Sequence, residues 1–235
     1  MQIKTYGYGA LGGWDDKADN SAGVIVPLIL ELVQPKSVVD VGCGPGRWLH
    51  VFQEQGVKDI LGMDGAWVPQ DKLHVPKENF QVTDLTKPLA ASRKYDLVVS
   101  LEVAEHLVAT SAETFVDSLT SLGDVILFSA AIPDQRGFQH VNEQFQDYWA
   151  EKFRARGFEC YDYIRPKTWP MPQVSFYYSQ NVLLYVRKGN ALEAKLKERN
   201  ILPATLLSVV HPELYFRRAH PVKHIMRRLK GLLGK

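Results

Sequence analysis

Cysteine is scarce in this sequence, which has only Cys43 and Cys160 among its 235 residues. Neither belongs to a CxxC pair or a Cys/His cluster, so the sequence supports neither a disulfide framework nor a zinc site. Long apolar runs are also missing, since no stretch approaches the roughly 20 residues that cross a bilayer. The first residues lack the basic start and apolar run of a signal peptide. We therefore expect a cytoplasmic protein that is soluble or bound peripherally to a membrane.

Net charge is small, at +2, but it is unevenly distributed. Residues 217–235 hold seven Lys/Arg and no acidic residue, which leaves 21 basic against 26 acidic residues in 1–216. An acidic body disfavours a nucleic-acid partner, which needs basic residues spread over the folded surface. In the basic tail, apolar residues recur at helical spacing: Val222, Ile225, Met226, Leu229, Leu232 and Leu233. This pattern leaves open a contact with an anionic membrane, packing on the body or on a second copy in a homodimer, and a disordered tail.

Short apolar segments rich in β-formers alternate with helical patterns along the chain. This alternation predicts an α/β fold with a largely parallel sheet and helices on both faces. The predicted strands are 37–41, 59–63, 80–82, 95–101, 125–129, 158–164 and 181–187. The main predicted helices are 21–33, capped by Asn20 or Ser21, then 47–55 and 142–156, with Gly157 after the last. We divide the chain into a domain, 1–189, and a helical, basic extension, 190–235.

A glycine-rich turn follows the first strand, in the run VVDVGCGPG at 38–46. A strand that ends in an acidic residue and continues into GxGxG and a helix places backbone N–H groups beside a ligand. Gly42, Gly44 and Gly46 remove side chains that would block its approach. A dinucleotide fingerprint would need GxGxxG/A, but the large cation Arg47 stands where the last small residue belongs. This substitution disfavours NAD.

The run resembles motif I of the class I S-adenosylmethionine-dependent methyltransferases. The resemblance implies a Rossmann-like sheet of seven mostly parallel strands with an antiparallel last strand, and S-adenosylmethionine as the cofactor. It also implies that Asp40 lies near the amino group of the cofactor and that Gly42 to Gly46 line the turn. We interpret Cys43 within that turn as a small residue that fills space.

An acidic residue is also expected at the end of the second strand, where a carboxylate can accept hydrogen bonds from both ribose hydroxyls. Asp64 in LGMDG, followed by Gly65, stands there, 22 residues beyond Gly42. Asp84 in QVTDL resembles the family's adenine-side position, with Leu85 packing on the ring; the alternative is a surface turn residue. Leu101, at the end of the fourth strand, completes the predicted cofactor contacts.

The pattern ExxEH follows the fourth strand, in SLEVAEHL. If the chain turns helical at Glu102, then Glu102, Glu105 and His106 share one face, and their oxygen and imidazole groups suit Mg²⁺ or Mn²⁺. The same pattern resembles the metal-binding motif of ubiquinone-biosynthesis O-methyltransferases and of small-RNA 3′-terminal ribose methyltransferases, in which a later histidine contributes. His140 is the candidate for that ligand. The alternative is a metal-free site in which His106 shapes the acceptor pocket.

A polar loop and an aromatic helix follow the fifth strand, and His140, Asn142 and Glu143 are predicted to face the acceptor. His140 is the candidate general base or metal ligand, with His106 and Glu143 as the other candidate catalytic residues. Asn142 has a structural alternative as the cap of the following helix, and Glu143 as a first-turn acid.

Three weaker patterns bear on the acceptor: HVNEQ, WxxxFxxxGF at 149–158, and SQN before the seventh strand. Together they resemble methyltransferases that accompany surface-polysaccharide synthesis, so we expect O-methylation of a sugar hydroxyl. A quinol, an RNA-terminal ribose and a non-catalytic cofactor-binding scaffold remain alternatives. Five aromatic residues either form a wall for the acceptor or pack over the sheet edge: Trp14, Trp169, Phe176, Tyr177 and Tyr178.

Overall fold

The computed structural model describes residues 16–89 and 93–219. A single sheet in the order β3-β2-β1-β4-β5-β7-β6 forms its centre, and β7 runs antiparallel to its neighbours β5 and β6, whereas the other pairs are parallel. The strands are β1 (Ser37–Val41), β2 (Asp59–Asp64), β3 (Phe80–Val82), β4 (Leu97–Leu101), β5 (Val125–Ser129), β6 (Phe158–Tyr161) and β7 (Leu183–Arg187). The predicted α/β fold is therefore confirmed.

Central strands are largely apolar and buried along their whole length because both faces of the sheet are covered. Neighbouring residues of one strand point to opposite faces: Val38 packs in one core cluster and Val39 in the other. Leu97 and Val98 on β4 divide in the same way. The continuous apolar runs predicted as buried strands are thus explained by two helical layers.

Eight α-helices surround the sheet in the described part of the chain. They are α1 (Asp16–Val33), α2 (Arg47–Glu54), α3 (Ala112–Leu122), α4 (Gln146–Ala155), α5 (Arg165–Thr168), α6 (Phe176–Asn181), α7 (Ala191–Glu198) and α8 (Pro212–Ala219). The core on one face includes apolar residues of α1 and α2, and that on the other includes residues of α3 and α4. None of these helices combines the length and the apolar character that a membrane span needs.

Several predicted boundaries are wrong by a few residues. The first helix begins at Asp16, so neither Asn20 nor Ser21 caps it; the Ser21 hydroxyl accepts a hydrogen bond from the backbone N–H of Ser175 instead. The helix predicted from 142 begins at Gln146, with Phe145 at its cap position. Apolar periodicity does not reveal where a helix starts. The first residue of a helix depends on the hydrogen bonds of its end, and tertiary neighbours supply some of these bonds.

Strand ends also differ from prediction. Strand β4 begins at Leu97, and Tyr95 makes only an isolated bridge to Gly123. Strand β6 ends at Tyr161, and β7 begins at Leu183, because the preceding SQN belongs to α6.

The described part of the predicted extension packs on the domain. Leu192 and Leu196 of α7 lie in one core cluster, Leu207 lies in the other, and Leu214 of α8 is buried. The amphipathic pattern at 222–233 lies outside the described residues, as does Trp14. The division of the chain at residue 189 stays a prediction.

Candidate active site

The glycine turn lies between β1 and α2, at the carboxyl edge of the sheet. All three glycines have left-handed backbones, with φ of 86° at Gly42, 54° at Gly44 and 86° at Gly46. At Gly42 a Cβ would lie 2.4 Å from Val103 Cγ2, so glycine is required by space as well as by conformation. The sequence therefore forms the tight turn that the motif predicted.

Two buried carboxylates flank this turn, Asp40 on β1 and Asp64 at the end of β2. Asp64 accepts hydrogen bonds from the backbone N–H of Gly44 and of Gly65, each at 2.6 Å. Burial raises the pKa of Asp64 to about 6, against the lowering effect of these two bonds and of a third from the Trp67 side chain. Burial, and then the charge of Asp64, raise the pKa of Asp40. Such desolvated acids suit a ligand with positive charge and hydroxyl donors, and Asp64 retains lone pairs for them.

Residues at the edge of the turn have local explanations. Cys43 is buried and its thiol donates to the Gly44 carbonyl, while burial raises its pKa, so it fills space as predicted and stays protonated. Asp84 is exposed and its carboxylate accepts from the backbone and hydroxyl of Thr86 and pairs with Lys87. Its geometry matches the surface-turn alternative, and its predicted adenine contact stays a prediction. Leu85 and Leu101 are buried.

The segment ExxEH does not form an α-helix. A 3-10 turn spans Ala104–His106, and Glu102 has a left-handed backbone with φ of 55°. The expected helical face joining Glu102 to Glu105 and His106 is therefore wrong, since the chain leaves β4 through a bend at Glu102. Consequently the two carboxylates enter different environments.

Glu102 is held by amide side chains. Gln135 Nε2 donates to one carboxylate oxygen at 2.7 Å, and Asn181 Nδ2 donates to the other at 3.1 Å. Gln180 Nε2 in turn donates to Gln135 Oε1 and to Asn181 Oδ1. Burial raises the pKa of Glu102 to about 7 and outweighs the hydrogen bonds with Ser129, Asn181 and Gln135, which lower it.

Glu105, His106 and His140 meet at the carboxyl edge of the sheet, with one potential ligand atom of each lying within 4.8 Å of the others. The His140 loop reaches Glu105 because the backbone N–H groups of Val141 and Asn142 donate to the Glu105 carbonyl. The His106 and His140 rings lie edge to face, with centroids 4.8 Å apart. Three of the four predicted metal ligands therefore converge, and Glu102 stands apart from them.

The Glu105 carboxylate has an unusual environment. It is buried, and the backbone N–H groups of Ala131 and of Glu105 itself lie near its oxygens without making hydrogen bonds of full geometry. Burial, followed by the charge of Glu102, raises its pKa well above the ordinary value. A buried acid of this kind is costly unless a proton or a cation compensates it.

Each histidine of this cluster is oriented by a hydrogen bond to another residue of the protein. His140 Nδ1 lies 2.8 Å from Glu143 Oε1, which also accepts from the Arg136 backbone N–H. His106 hydrogen-bonds to the backbone of Gln139, and desolvation and the nearby His140 lower the pKa of His106, so its ring is neutral at pH 7. Glu143 thus orients His140, and the alternative of a first-turn acid is wrong because α4 begins only at Gln146.

Two residue groups that sequence reasoning missed complete the site. Gly137 lies against the imidazole of His140: a Cβ there would fall 2.1 Å from His140 Nε2. No sequence pattern indicates the role of the amides Gln135 and Gln180, although Gln180 lies within the SQN pattern. Their partners are distant in the chain, so only the fold brings them together.

The aromatic insert divides between packing and surface. Tyr178 is buried and lies edge to face with Trp48, with centroids 5.1 Å apart. Trp169 packs on His211 with ring centroids 4.6 Å apart, and the ring of Phe176 also lies near that histidine. These contacts favour the edge-packing alternative for Tyr178 and Trp169.

The raised carboxyl pKa values predict a stability that falls as pH rises. Above pH 6.5 Glu102, with its pKa of about 7, binds more protons when folded than when unfolded, and the raised pKa values of Asp40 and Glu105 act in the same direction. The opposing contribution of His106 is complete above its ordinary pKa of 6.5. For each extra proton that the folded protein holds, the free energy of unfolding falls by about 1.4 kcal/mol per pH unit, which lowers Tm by about 3 °C.

Differential scanning fluorimetry of the ligand-free protein in chelator, at pH 6.5 to about 8, measures this slope. We expect Tm to fall across that interval, and to fall less steeply for Glu102→Gln, which removes one of the titrating groups. A Tm that rises or stays constant would contradict the raised pKa values.

Comparison with known proteins relates this geometry to a family. The family model described as a methyltransferase domain matches residues 19–169. No significant match was found among curated proteins. Solved structures share the fold at low sequence identity.

One such structure, a protein of Nostoc punctiforme PCC 73102 described as an O-methyltransferase, is 14% identical with a TM-score of 0.53, and the match covers 73% of this chain but only 57% of that one. DesVI of Streptomyces venezuelae is 16% identical with a TM-score of 0.55, over 76% and 95% of the two chains. Magnesium protoporphyrin IX methyltransferase of Synechocystis PCC 6803, solved with bound S-adenosylmethionine, is 22% identical with a TM-score of 0.51, over 79% and 88%. The chain thus belongs to the methyltransferase domain family, and its fold is that of the class I S-adenosylmethionine-dependent enzymes.

Proposed function

We propose that this chain is an S-adenosylmethionine-dependent O-methyltransferase that methylates a sugar hydroxyl in a surface glycan or its precursor, assisted by a divalent cation. The observation that carries the proposal is the convergence of the buried Glu105 carboxylate, whose oxygens are incompletely satisfied by hydrogen bonds, with His106 and His140 at the carboxyl edge of the sheet. This is the edge at which α/β proteins bind their ligands. The glycine turn that supplies a donor site lies at the same edge.

The turn and its two acids fit S-adenosylmethionine. Its positively charged sulfur, when bound, supplies the methyl group. Asp64 would accept the two ribose hydroxyls, because its carboxylate is already fixed by the Gly44 and Gly65 amides. Asp40 is a desolvated acid that suits the ammonium group of the donor. Gly42 and Gly44 leave the backbone accessible.

His140 is the candidate acceptor for the hydroxyl proton. His140 Nδ1 is hydrogen-bonded to Glu143, so Nε2 is the ring nitrogen left to act, and its single lone pair can either accept the hydroxyl proton or bind the cation, but not both at once. A hydroxyl held about 3 Å from that nitrogen would transfer its proton as it attacks the methyl carbon. Glu143 then stabilises the protonated ring, so the proton stays on His140 until solvent removes it.

The residues of the cluster also fit Mn²⁺ or Mg²⁺. Glu105, His106 and His140 supply one carboxylate and two imidazoles, and the second ring nitrogen of each histidine is occupied by a protein partner. A divalent cation supplies charge that lowers the pKa of a bound hydroxyl. A sugar presents the vicinal diol that can chelate such an ion, and this chemistry supports a sugar over an isolated alcohol.

Three measurements test the proposal. Isothermal titration should show binding of S-adenosylmethionine, and titration of Mn²⁺ into metal-free protein should show one site that Glu105→Gln removes. Glycans from cells without this protein should lack a methyl group that mass spectrometry finds in the parent, and extracted glycan should accept radiolabelled methyl. Full turnover after exhaustive chelation would overturn metal assistance. Labelling of a quinol or of short RNA instead would replace the sugar, and binding without any transfer would indicate a scaffold.

A glycine substitution tests whether His140 must lie where it does. We expect Gly137→Ala to lower kcat by about 100-fold, because the new methyl group occupies the position of the imidazole and displaces it. Donor affinity should not change. Methyl transfer to extracted glycan and donor titration measure both.

Gly23→Ala is the matched control. Gly23 is an exposed residue of α1, and a Cβ there meets no atom within 4 Å. Alanine at this helical position should leave kcat unchanged and raise stability by about 1 kcal/mol. Equal activity of the two variants would show that the position of His140 does not matter.

A further inference from the structure

The chain after α7 crosses back over the active-site edge as an irregular segment followed by α8. We define residues 203–219 as the C-terminal clasp. It lies beyond the family-matched residues 19–169. Among the described residues one backbone hydrogen bond joins this segment to the domain, from the Ala204 N–H to the Cys160 carbonyl at 2.8 Å, so side chains provide most of its attachment.

Buried polar side chains of the domain bind the irregular part of the clasp. Arg165 is buried and donates to the carbonyl of Leu207 at 2.6 Å and to that of Leu206 at 3.3 Å. Gln146, at the start of α4, donates to the carbonyl of Val209 at 3.3 Å. Burying an arginine and a glutamine is costly, so these contacts specify where the segment lies.

The clasp is connected to Glu102 through two amides. The backbone N–H of His211 donates to Gln180 Oε1 at 2.8 Å. Gln180 Nε2 donates to Gln135 Oε1 at 3.1 Å, and Gln135 Nε2 donates to the Glu102 carboxylate at 2.7 Å. A continuous path of hydrogen bonds therefore runs from the clasp to the residue that follows β4.

A second connection reaches the loop that carries His140. From α8, Arg218 donates to the backbone carbonyls of Asp134 and Gln135, the latter at 2.7 Å. This loop has an unfavourable backbone: Asp134, Arg136 and Gln139 have φ of 66°, 55° and 57°. Non-glycine residues keep left-handed conformations only where the surroundings impose them.

We infer that the C-terminal clasp positions the catalytic loop, and that Arg218 is a positioning residue for His140. The guanidinium group holds two successive carbonyls at the start of the loop. Glu143, which orients His140, accepts from the N–H of the next residue, Arg136. Loss of Arg218 would therefore release the start of the loop that positions both His140 and Glu143. The effect on turnover rests on the proposed function, whereas the effect on loop order does not.

The experiment compares Arg218→Ala, Arg218→Lys and Arg217→Ala in the full chain. Arg217 is a matched control because it lies next in sequence but pairs with Glu213 and covers the ring of Phe176. Hydrogen exchange with mass spectrometry, without ligands, is measured on peptides covering 134–145 and on peptides covering the turn at 38–64. Steady-state kinetics with extracted glycan and titration of S-adenosylmethionine complete the set.

For Arg218→Ala we expect about tenfold faster exchange in 134–145, unchanged exchange in 38–64, and unchanged donor affinity. The value of kcat should fall by about 10-fold to 100-fold, because misplacement of a catalytic group lowers the rate more than it lowers binding. Arg218→Lys should recover part of both effects, since lysine reaches only one carbonyl at a time. Arg217→Ala should resemble the unaltered protein.

Unchanged exchange in 134–145 would overturn the inference. So would an equal increase in 38–64, because it would show that Arg218 only stabilises the whole domain. If the unaltered protein transfers no methyl group, the proposed function fails, and the exchange data alone still decide whether the clasp orders the loop.

Discussion

Substitution of Asp64 by alanine is expected to weaken S-adenosylmethionine binding by at least about 100-fold, from the loss of two hydrogen bonds between a carboxylate and the ribose hydroxyls. The substitution also removes the acceptor of the Gly44 and Gly65 amides, so the turn loses the group that fixes its shape. Isothermal titration of the purified variant measures the affinity. Thermal unfolding shows whether the fold persists.

Two further variants separate the ligand contact from the fold. Asp64→Asn keeps the size of the side chain but removes its charge and one acceptor, so we expect an intermediate loss of affinity. Asp59→Ala is the matched control, because Asp59 lies at the opposite end of the same strand, where it is exposed and pairs with Arg93. We expect its effect to stay within a few-fold. Unchanged affinity in Asp64→Ala would exclude the assigned donor site.

Substitution of His140 by alanine is expected to lower kcat by about 1,000-fold, the typical range for a lost general base. The variant removes the side chain that either accepts the proton or binds the cation together with Glu105 and His106. The affinity for S-adenosylmethionine should stay unchanged, because Asp40 and Asp64, which are assigned to it, lie on β1 and β2, whereas His140 lies in the loop after β5. Single-turnover transfer of radiolabelled methyl to extracted glycan isolates the chemical step from product release.

Glu143→Gln tests the orienting bond to His140. We expect a loss of about 10-fold to 100-fold, smaller than that of His140→Ala, because the ring remains but its tautomer is no longer fixed. The control is His50→Ala, since His50 on α2 pairs with exposed Glu54 and packs near His74. A loss in His50→Ala equal to that in His140→Ala would contradict the assignment.

The cofactor side of the site could be predicted because its signals are local. The turn needs small residues at fixed spacing, so Gly42, Gly44 and Gly46 appear in the sequence as a motif, and the structure gives all three left-handed backbones. Asp64 was predicted from its place at the end of a strand. Its position follows from the parallel pairing of β1 and β2, which sets their ends side by side.

The acceptor side could be predicted only in part. The residue types Glu105, His106 and His140 were identified, but the assumed helix was wrong, because Glu102 takes a left-handed bend after β4. Helical spacing is a reliable guide only where a helix forms. Glu102 was therefore grouped with the cluster, although Gln135 and Asn181 hold it elsewhere.

The α/β architecture and the glycine turn can be predicted from the sequence, because apolar periodicity and glycine conformation act between near neighbours in the chain. The tertiary structure alone decided which acids lie together, that Gly137 makes room for His140, and that Arg218 reaches its loop from 83 residues away. These contacts join residues distant in sequence, and their hydrogen bonds depend on the packing of the whole domain. The glycine turn can therefore be recognised from a short stretch of sequence, whereas the acceptor site depends on contacts that form only when the domain folds.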